Sequence, residues 1–216
     1  FVQFDDGRLD LSVLDGAVTL SPDQLQILTE LYIAYFDRAP DAGGLLFWGT
    51  SLANGVSLPE IAALFFEQQE THEALPEDLT AEAFVTQAYN NFLERDPDAE
   101  GLNFWVSVLE TGTVTRPEFM LALIEGARAD TGSPDDVRTI EDKGDIGVSF
   151  ALINGLNNVD DAAAVMAAYM LEDRAAGLAE AQTLITEAAA DANGADGSTE
   201  FTFQLVGVID DPFAVA

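Results

Sequence analysis

From Leu25 onward, apolar side chains recur at the three- and four-residue spacing of one helix face: Leu25, Leu28, Leu31, Tyr32, Tyr35 and Phe36. Ser21-Pro22-Asp23-Gln24 precedes them as a start signal, with Ser as cap, Pro at the first helical position and Gln24 closing a capping box. The helix must stop near Arg38-Ala39-Pro40, because the residue before Pro is pushed out of the α region. Asp41 then caps a second helix carrying Leu45, Trp48 and Leu52, which ends at Asn54-Gly55. Ser57-Leu58-Pro59-Glu60 is another capping box and opens a third helix, Ile61 through Phe66. The pattern then returns. Phe84 to Leu93 repeats the first helix, Asp98 caps the second, Gly112 ends it, and Thr115-Arg116-Pro117-Glu118 opens the third after a one-residue insertion.

Identities at one constant offset mark the repeat. Tyr32, Arg38, Pro40, Asp41, Gly44, Leu45, Phe47 and Trp48 reappear 57 residues later as Tyr89, Arg95, Pro97, Asp98, Gly101, Leu102, Phe104 and Trp105. The chain has only eight Lys and Arg and two Trp, so one Arg and one Trp in each copy is a pointed coincidence. A repeat of this length is a supersecondary unit used twice, and neither unit buries its apolar stripe alone. The two copies are expected to pack on each other.

Outside the repeat the pattern is less regular. Phe1 to Leu11 alternates about Asp6-Gly7, which predicts a hairpin with Asp5 and Asp6 as turn formers. Ser133-Pro134-Asp135-Asp136 starts a helix running through Ile140, Ile146, Val148, Phe150 and Leu152 to Asn154-Gly155, where Gly144 and Gly147 imply a kink or a close packing contact. Asp160 or Asp161 is read as the cap of an Ala-rich helix to about Arg174, followed by another from about Leu178 to Ala190. Asn193 to Ser198 is loop, and Phe201 to Ile209 has strand composition that suits pairing with the hairpin. The expected fold is mainly α: a helical bundle from a tandem three-helix repeat plus C-terminal helices, with a small terminal β-sheet. The segments are 1–20 (hairpin), 21–75 and 76–130 (the two repeats), 131–192 (C-terminal helices) and 193–216 (strand and tail), in one unit.

Charge and composition narrow the function classes. The chain is 48% hydrophobic, too apolar for disorder, and carries 39 acidic against 8 basic residues, a net of −31. Such a field repels nucleic acid and anionic bilayers and favours divalent cations, basic partners or a salty medium. No cysteine occurs, which excludes disulfides and thiolate metal sites. No apolar run reaches the length of a membrane span, and no basic or apolar leader opens the chain at Phe1, whose missing initiator Met suggests a fragment.

The corner Asp37-Arg38-Ala39-Pro40-Asp41 and its twin Glu94-Arg95-Asp96-Pro97-Asp98 are the sharpest local features. Arg38 and Arg95 are read as ties that hold each corner through neighbouring acids and helix-end carbonyls, against an alternative role as anion anchors. Asp96, Asp98, Glu100 and Gly101 match the opening of a calcium loop, which makes the three acids a candidate metal site. The match then fails at Ser107, where a bidentate Glu is required, and the first copy has Ala39 and Gly43 instead of two of the acids. His72 is read as a surface residue in a polar connector, and Trp48 and Trp105, with Phe47 and Phe104, as core. No catalytic fingerprint is present.

The pattern Tyr…Arg-x-Pro-Asp-x-x-Gly-Leu-x-Phe-Trp, over about Leu25 to Ala127, resembles the bacterial domain of unknown function numbered 4214, in two copies. That family is similar to the helical linker domain of phycobilisomes and occurs in secreted proteins of the RTX and adhesin type. The resemblance implies an extracellular, non-catalytic interaction module exported by a type I system, binding protein or glycan, with Arg38, Asp41, Gly44, Trp48, Arg95, Asp98, Gly101 and Trp105 as structural motif and no catalytic residues. Asp210 to Ala216, acids before a short apolar end, resembles the C-terminal signal of type I substrates. A calcium-dependent spacer and a carboxylate-based hydrolase are the alternatives.

Overall fold

A computed structural model describes residues 2–3, 8–9, 15–129, 132–169, 173–194, 204–205 and 207–214. Its first unit comprises α1 (Pro22–Phe36), α2 (Ala42–Ala53) and α3 (Leu58–Phe66), followed by a short α4 (Gln69–Ala74). The second comprises α5 (Ala81–Leu93), α6 (Ala99–Glu110) and α7 (Phe119–Arg128), and continues into α8 (Pro134–Val148). 3₁₀ turns at Asp15–Thr19 and Arg116–Glu118, a π-helical stretch at Ser149–Ile153, α9 (Val159–Ala167) and α10 (Arg174–Ala192) complete the helices among the described residues.

The start signals work as the chemistry requires. Ser21 and Gln24 close a capping box, as do Ser57 and Glu60, and the Asp41 and Asp98 side chains accept from the amides of Gly44 and Gly101. Several boundaries differ from the expectation. The connector holding His72 is helix α4, where His72 is half-buried beside Phe66 and faces Glu77 at 3.5 Å. Asn158, not Asp160 or Asp161, caps α9, because its side-chain oxygen accepts both of those aspartates' amides. That helix ends at Ala167, while Asp173 caps a new helix starting at Arg174.

The expected small terminal β-sheet, joining the N-terminal hairpin to a C-terminal strand, is not supported. Val2–Gln3 (β1) and Arg8–Leu9 (β2) pair antiparallel over two residues each, the only strands among the described residues. Within the expected C-terminal strand, Gln204 and Leu205 lack regular structure, and the remainder turns or lies outside the described residues. Leu205 instead donates its amide to the Leu152 carbonyl, which the π-helical register leaves available.

The first helix organises the core. It buries residues from Leu25 to Phe36 on nearly every face. The second unit packs against it through α5 and α7, and the Tyr35 hydroxyl donates to the Pro117 carbonyl. On another side it crosses α8 at close range, where a Cβ on Gly147 would lie 2.6 Å from the Thr29 methyl and 3.0 Å from Ile33. Gly144 and Gly147 therefore mark close helix packing, while the departure from α geometry comes later, at the π-helical stretch. The C-terminal helices are thus part of the same core as the repeats.

Cations are used sparingly and internally. All seven basic residues with described side chains are engaged by other residues of the chain, and all but Arg116 face a carboxylate. Glu30, fully buried on α1, takes both guanidinium nitrogens of Arg128 at 2.5 Å. Burial pushes its carboxyl above the usual range, and Arg128 opposes that. Asp142 on α8 likewise accepts from Arg174 and, at 3.0 Å, from the Tyr169 hydroxyl.

Candidate binding site at the repeated corner

The first helix of each unit ends on an acid in the left-handed region, Asp37 at φ 50° and Glu94 at φ 57°. That reversal folds the following Arg back over its own helix. The Arg38 guanidinium lies 5.2 Å from the Tyr32 ring, and Arg95 lies 5.1 Å from Tyr89. Each Arg donates to the next carbonyl, that of Ala39 or Asp96, at 2.9 Å. Each then forks onto a distant acid in the first turn of the helix after the third. Arg38 meets Glu70 at 2.5 and 3.2 Å, and Arg95 meets Asp136 at 2.6 and 2.7 Å. The two arginines are corner ties, but their main acids are these remote ones and not the adjacent Asp37 and Glu94. Burial pulls the Arg38 guanidinium down, and its bonds to Glu70 outweigh that and hold it above its ordinary value.

Asp37 and Glu94 face a different cation, which the sequence did not advertise. The chain's sole lysine, Lys143, is fully buried on α8 between the two units. Its ammonium donates to the Asn91 carbonyl at 2.7 Å and to Glu94 at 2.5 Å, with Asp37 at 4.0 Å. A cation at the last carbonyls of α5 also complements the helix dipole. Burial pushes the Asp37 carboxyl up to about 6, Lys143 pulls it back and Glu94 raises it again.

The motif glycines follow from the same geometry. Asp41 accepts from the Tyr32 hydroxyl at 2.6 Å and from the Gly44 amide at 2.7 Å. A Cβ on Gly44 would lie 2.8 Å from the Asp41 carboxylate and 2.9 Å from that hydroxyl. In the second unit the corner is looser. The Tyr89 hydroxyl accepts the Trp105 indole N–H at 3.0 Å, and a Cβ on Gly101 would clear Tyr89 by 3.3 Å.

The two corners differ in what covers them. In the first, Ala39 and Ala42 are fully buried beneath the segment before and within α9. Their amides donate to the carbonyls of Ala162 and Leu156, and the Gly43 amide donates to the Asn157 side chain. In the second, Asp96, Asp98, Ala99 and Glu100 are exposed. This explains the calcium-like spacing: the acids stand where the corner meets water, and the small residues Ala39 and Gly43 stand where it meets protein. Asp96 accepts from Asn90 and Asp98 caps its helix. Among the described residues no group of three or more His or acidic side chains is arranged to hold a metal ion.

Beside the second corner lies a groove of about 570 Å³ between α6, the end of α7 and the start of α8. Tyr89, Arg95 and Asp136 line it, together with Phe104, Trp105, Leu123, Gly126 and Ser133. Trp105 is buried against Phe119, and Trp48 is half-buried against Phe65. The phenylalanines, expected in the core, are not. Phe47 and Phe104 stand edge-on to their tryptophans at 5.1 and 5.0 Å, one helical position round, and are 44% and 57% exposed. Leu123 and Gly126 line this groove at positions where the first unit has Phe65 and, just past α3, Gln68. Leu123, Gly126, Glu70, Asp136 and Lys143 escaped the motif reading. The unmatched Phe65/Leu123 pair and the lone lysine in a glycine-rich helix are the signals that mark them.

Fold and site thus define a helical protein built on a repeated arginine–aspartate–glycine–tryptophan corner. Residues 62–130, from α3 through the whole second unit, match the family model described as Domain of unknown function (DUF4214). No curated protein and no solved structure matches the chain. No helix among the described residues is long and apolar enough to cross a membrane.

Proposed function

We propose that this chain is a non-catalytic interaction module of a secreted or surface-attached bacterial protein, binding protein or glycan through the groove of its second unit. The observation that carries the reading is Phe104, left 57% exposed at the rim of a cleft floored by Trp105. An aromatic ring held in water beside a cleft is surface that a partner recovers on binding. Binding without catalysis is favoured because two carboxylates at the groove are committed, Asp98 to a helix cap and Asp136 to Arg95. An extracellular setting is favoured by the net charge of −31 and the lack of cysteine. The first unit is proposed as a second copy of the matched family, on the strength of its equivalent corner.

The test uses a Trp48→Phe background, so that Trp105 is the sole indole, and titrates a panel of capped peptides and neutral oligosaccharides. At least one class is expected to shift Trp105 emission. The response should disappear in Leu123→Phe/Gly126→Gln, which writes the first unit's side chains into the second. A panel without any response, or a response indifferent to the filled groove, refutes the reading.

A further inference from the structure

Resting on that reading of the groove, we infer that its occupant is a lysine or arginine side chain presented by a polypeptide partner. Three positions at which the second unit departs from the first converge on this cleft. Leu123 for Phe65 and Gly126 for Gln68 line the space with smaller side chains, and Glu100 for Gly43 adds a carboxylate to the rim. Asp98 stands beside Glu100, and its bond from the Gly101 amide holds its carboxyl below the usual range, so it stays charged at neutral pH. The one cation of the lining, Arg95, is forked onto Asp136 and brings no net positive charge to a ligand. The groove therefore offers the exposed Phe104 ring with the carboxylates of Asp98 and Glu100 along one rim, which suits a cation over a ring within about 6 Å. An anionic or acidic ligand meets repulsion there. A neutral sugar forgoes the rim charges.

The wider surface supports the same sign. Thirty-nine acidic residues face eight basic ones, and every basic side chain described is engaged by other residues of the chain. The field outside the molecule is consequently almost purely attractive to basic partners and speeds their encounter.

The experiment titrates the Trp48→Phe protein with a capped peptide alternating glycine and lysine, its glutamate counterpart, and a neutral glucose hexasaccharide. The lysine peptide should bind and the other two should not. Phe104→Ala should weaken it about tenfold and Glu100→Gln severalfold. Both variants alter exposed side chains, so circular dichroism should report an unchanged fold. Lysine-peptide binding that survives Phe104→Ala but vanishes in salt would be general attraction to a polyanion and would overturn the inference. Phe104-dependent binding of the hexasaccharide alone would overturn the cationic ligand and keep the groove as a site. Silence from all three probes, with silence across the wider panel, would remove both.

Discussion

The motif residues are coupled through shared atoms, so substitutions at matching positions need not have matching effects. Gly44→Ala places a methyl on both the Asp41 carboxylate and the Tyr32 hydroxyl, at 2.8 and 2.9 Å. It should cost about 1 kcal/mol or more in urea denaturation, the scale of a lost helix cap. Gly101→Ala meets its nearest atom at 3.3 Å, and the helix gains the propensity of alanine, so the change should lie near zero. A second residue-scale prediction concerns Asp145. Burial first, then Asp142, Glu141 and Glu30, pushes its carboxyl up to about 6. The unfolded chain loses this proton more readily, so the group lowers stability as pH rises through about 4 to 6 and stays unfavourable above. Asp145→Asn should therefore raise the melting temperature at pH 7, with the gain shrinking as pH falls toward 4.

At the scale of elements, the two units show why some of the fold was legible and some was not. Caps, proline stops and apolar spacing are local, and they predicted α1 to α3, α5 and α6 closely. The third helix of the second unit opens instead through a 3₁₀ turn at Arg116–Glu118 before α7. The ends of α9 and α10 were misjudged because alanine-rich sequence carries little register, and Asn158 and Asp173 compete with neighbouring acids as caps. The groove was illegible because it is assembled from three elements, α6, the end of α7 and the start of α8. The acid partners of Arg38 and Arg95 lie 32 and 41 residues away, beyond any local pattern. Gly147 was readable as a contact but not as a contact with α1. A Gly147→Val protein should lose about 2 kcal/mol or more, since both Thr29 and Ile33 must move. Gly144→Ala should cost less, because its nearest neighbour is the far end of the Gln26 side chain, which gives up its 3.2 Å bond to Glu30 when it moves.

Six of the seven basic residues with described side chains join segments distant in sequence. Lys143, on α8, meets Glu94 and Asp37, one from each unit. Removing it as Lys143→Ala leaves a helix-end carbonyl and two part-exposed acids without their donor and should cost about 1–3 kcal/mol, read by urea denaturation. Arg138→Ala breaks only an exposed pair with Asp135 and should change stability by less than about 0.5 kcal/mol. The same economy leaves an acidic exterior broken by the aromatic groove of the second unit. The most direct test of that groove is a map of backbone amide shifts while the strongest-binding member of the ligand panel is titrated into ¹⁵N-labelled protein. Perturbations centred on Gly101, Phe104, Gly126 and Ser133 are the predicted result. Shifts centred on Phe47 and Trp48 in the first unit, or spread evenly over the acidic surface, would contradict it.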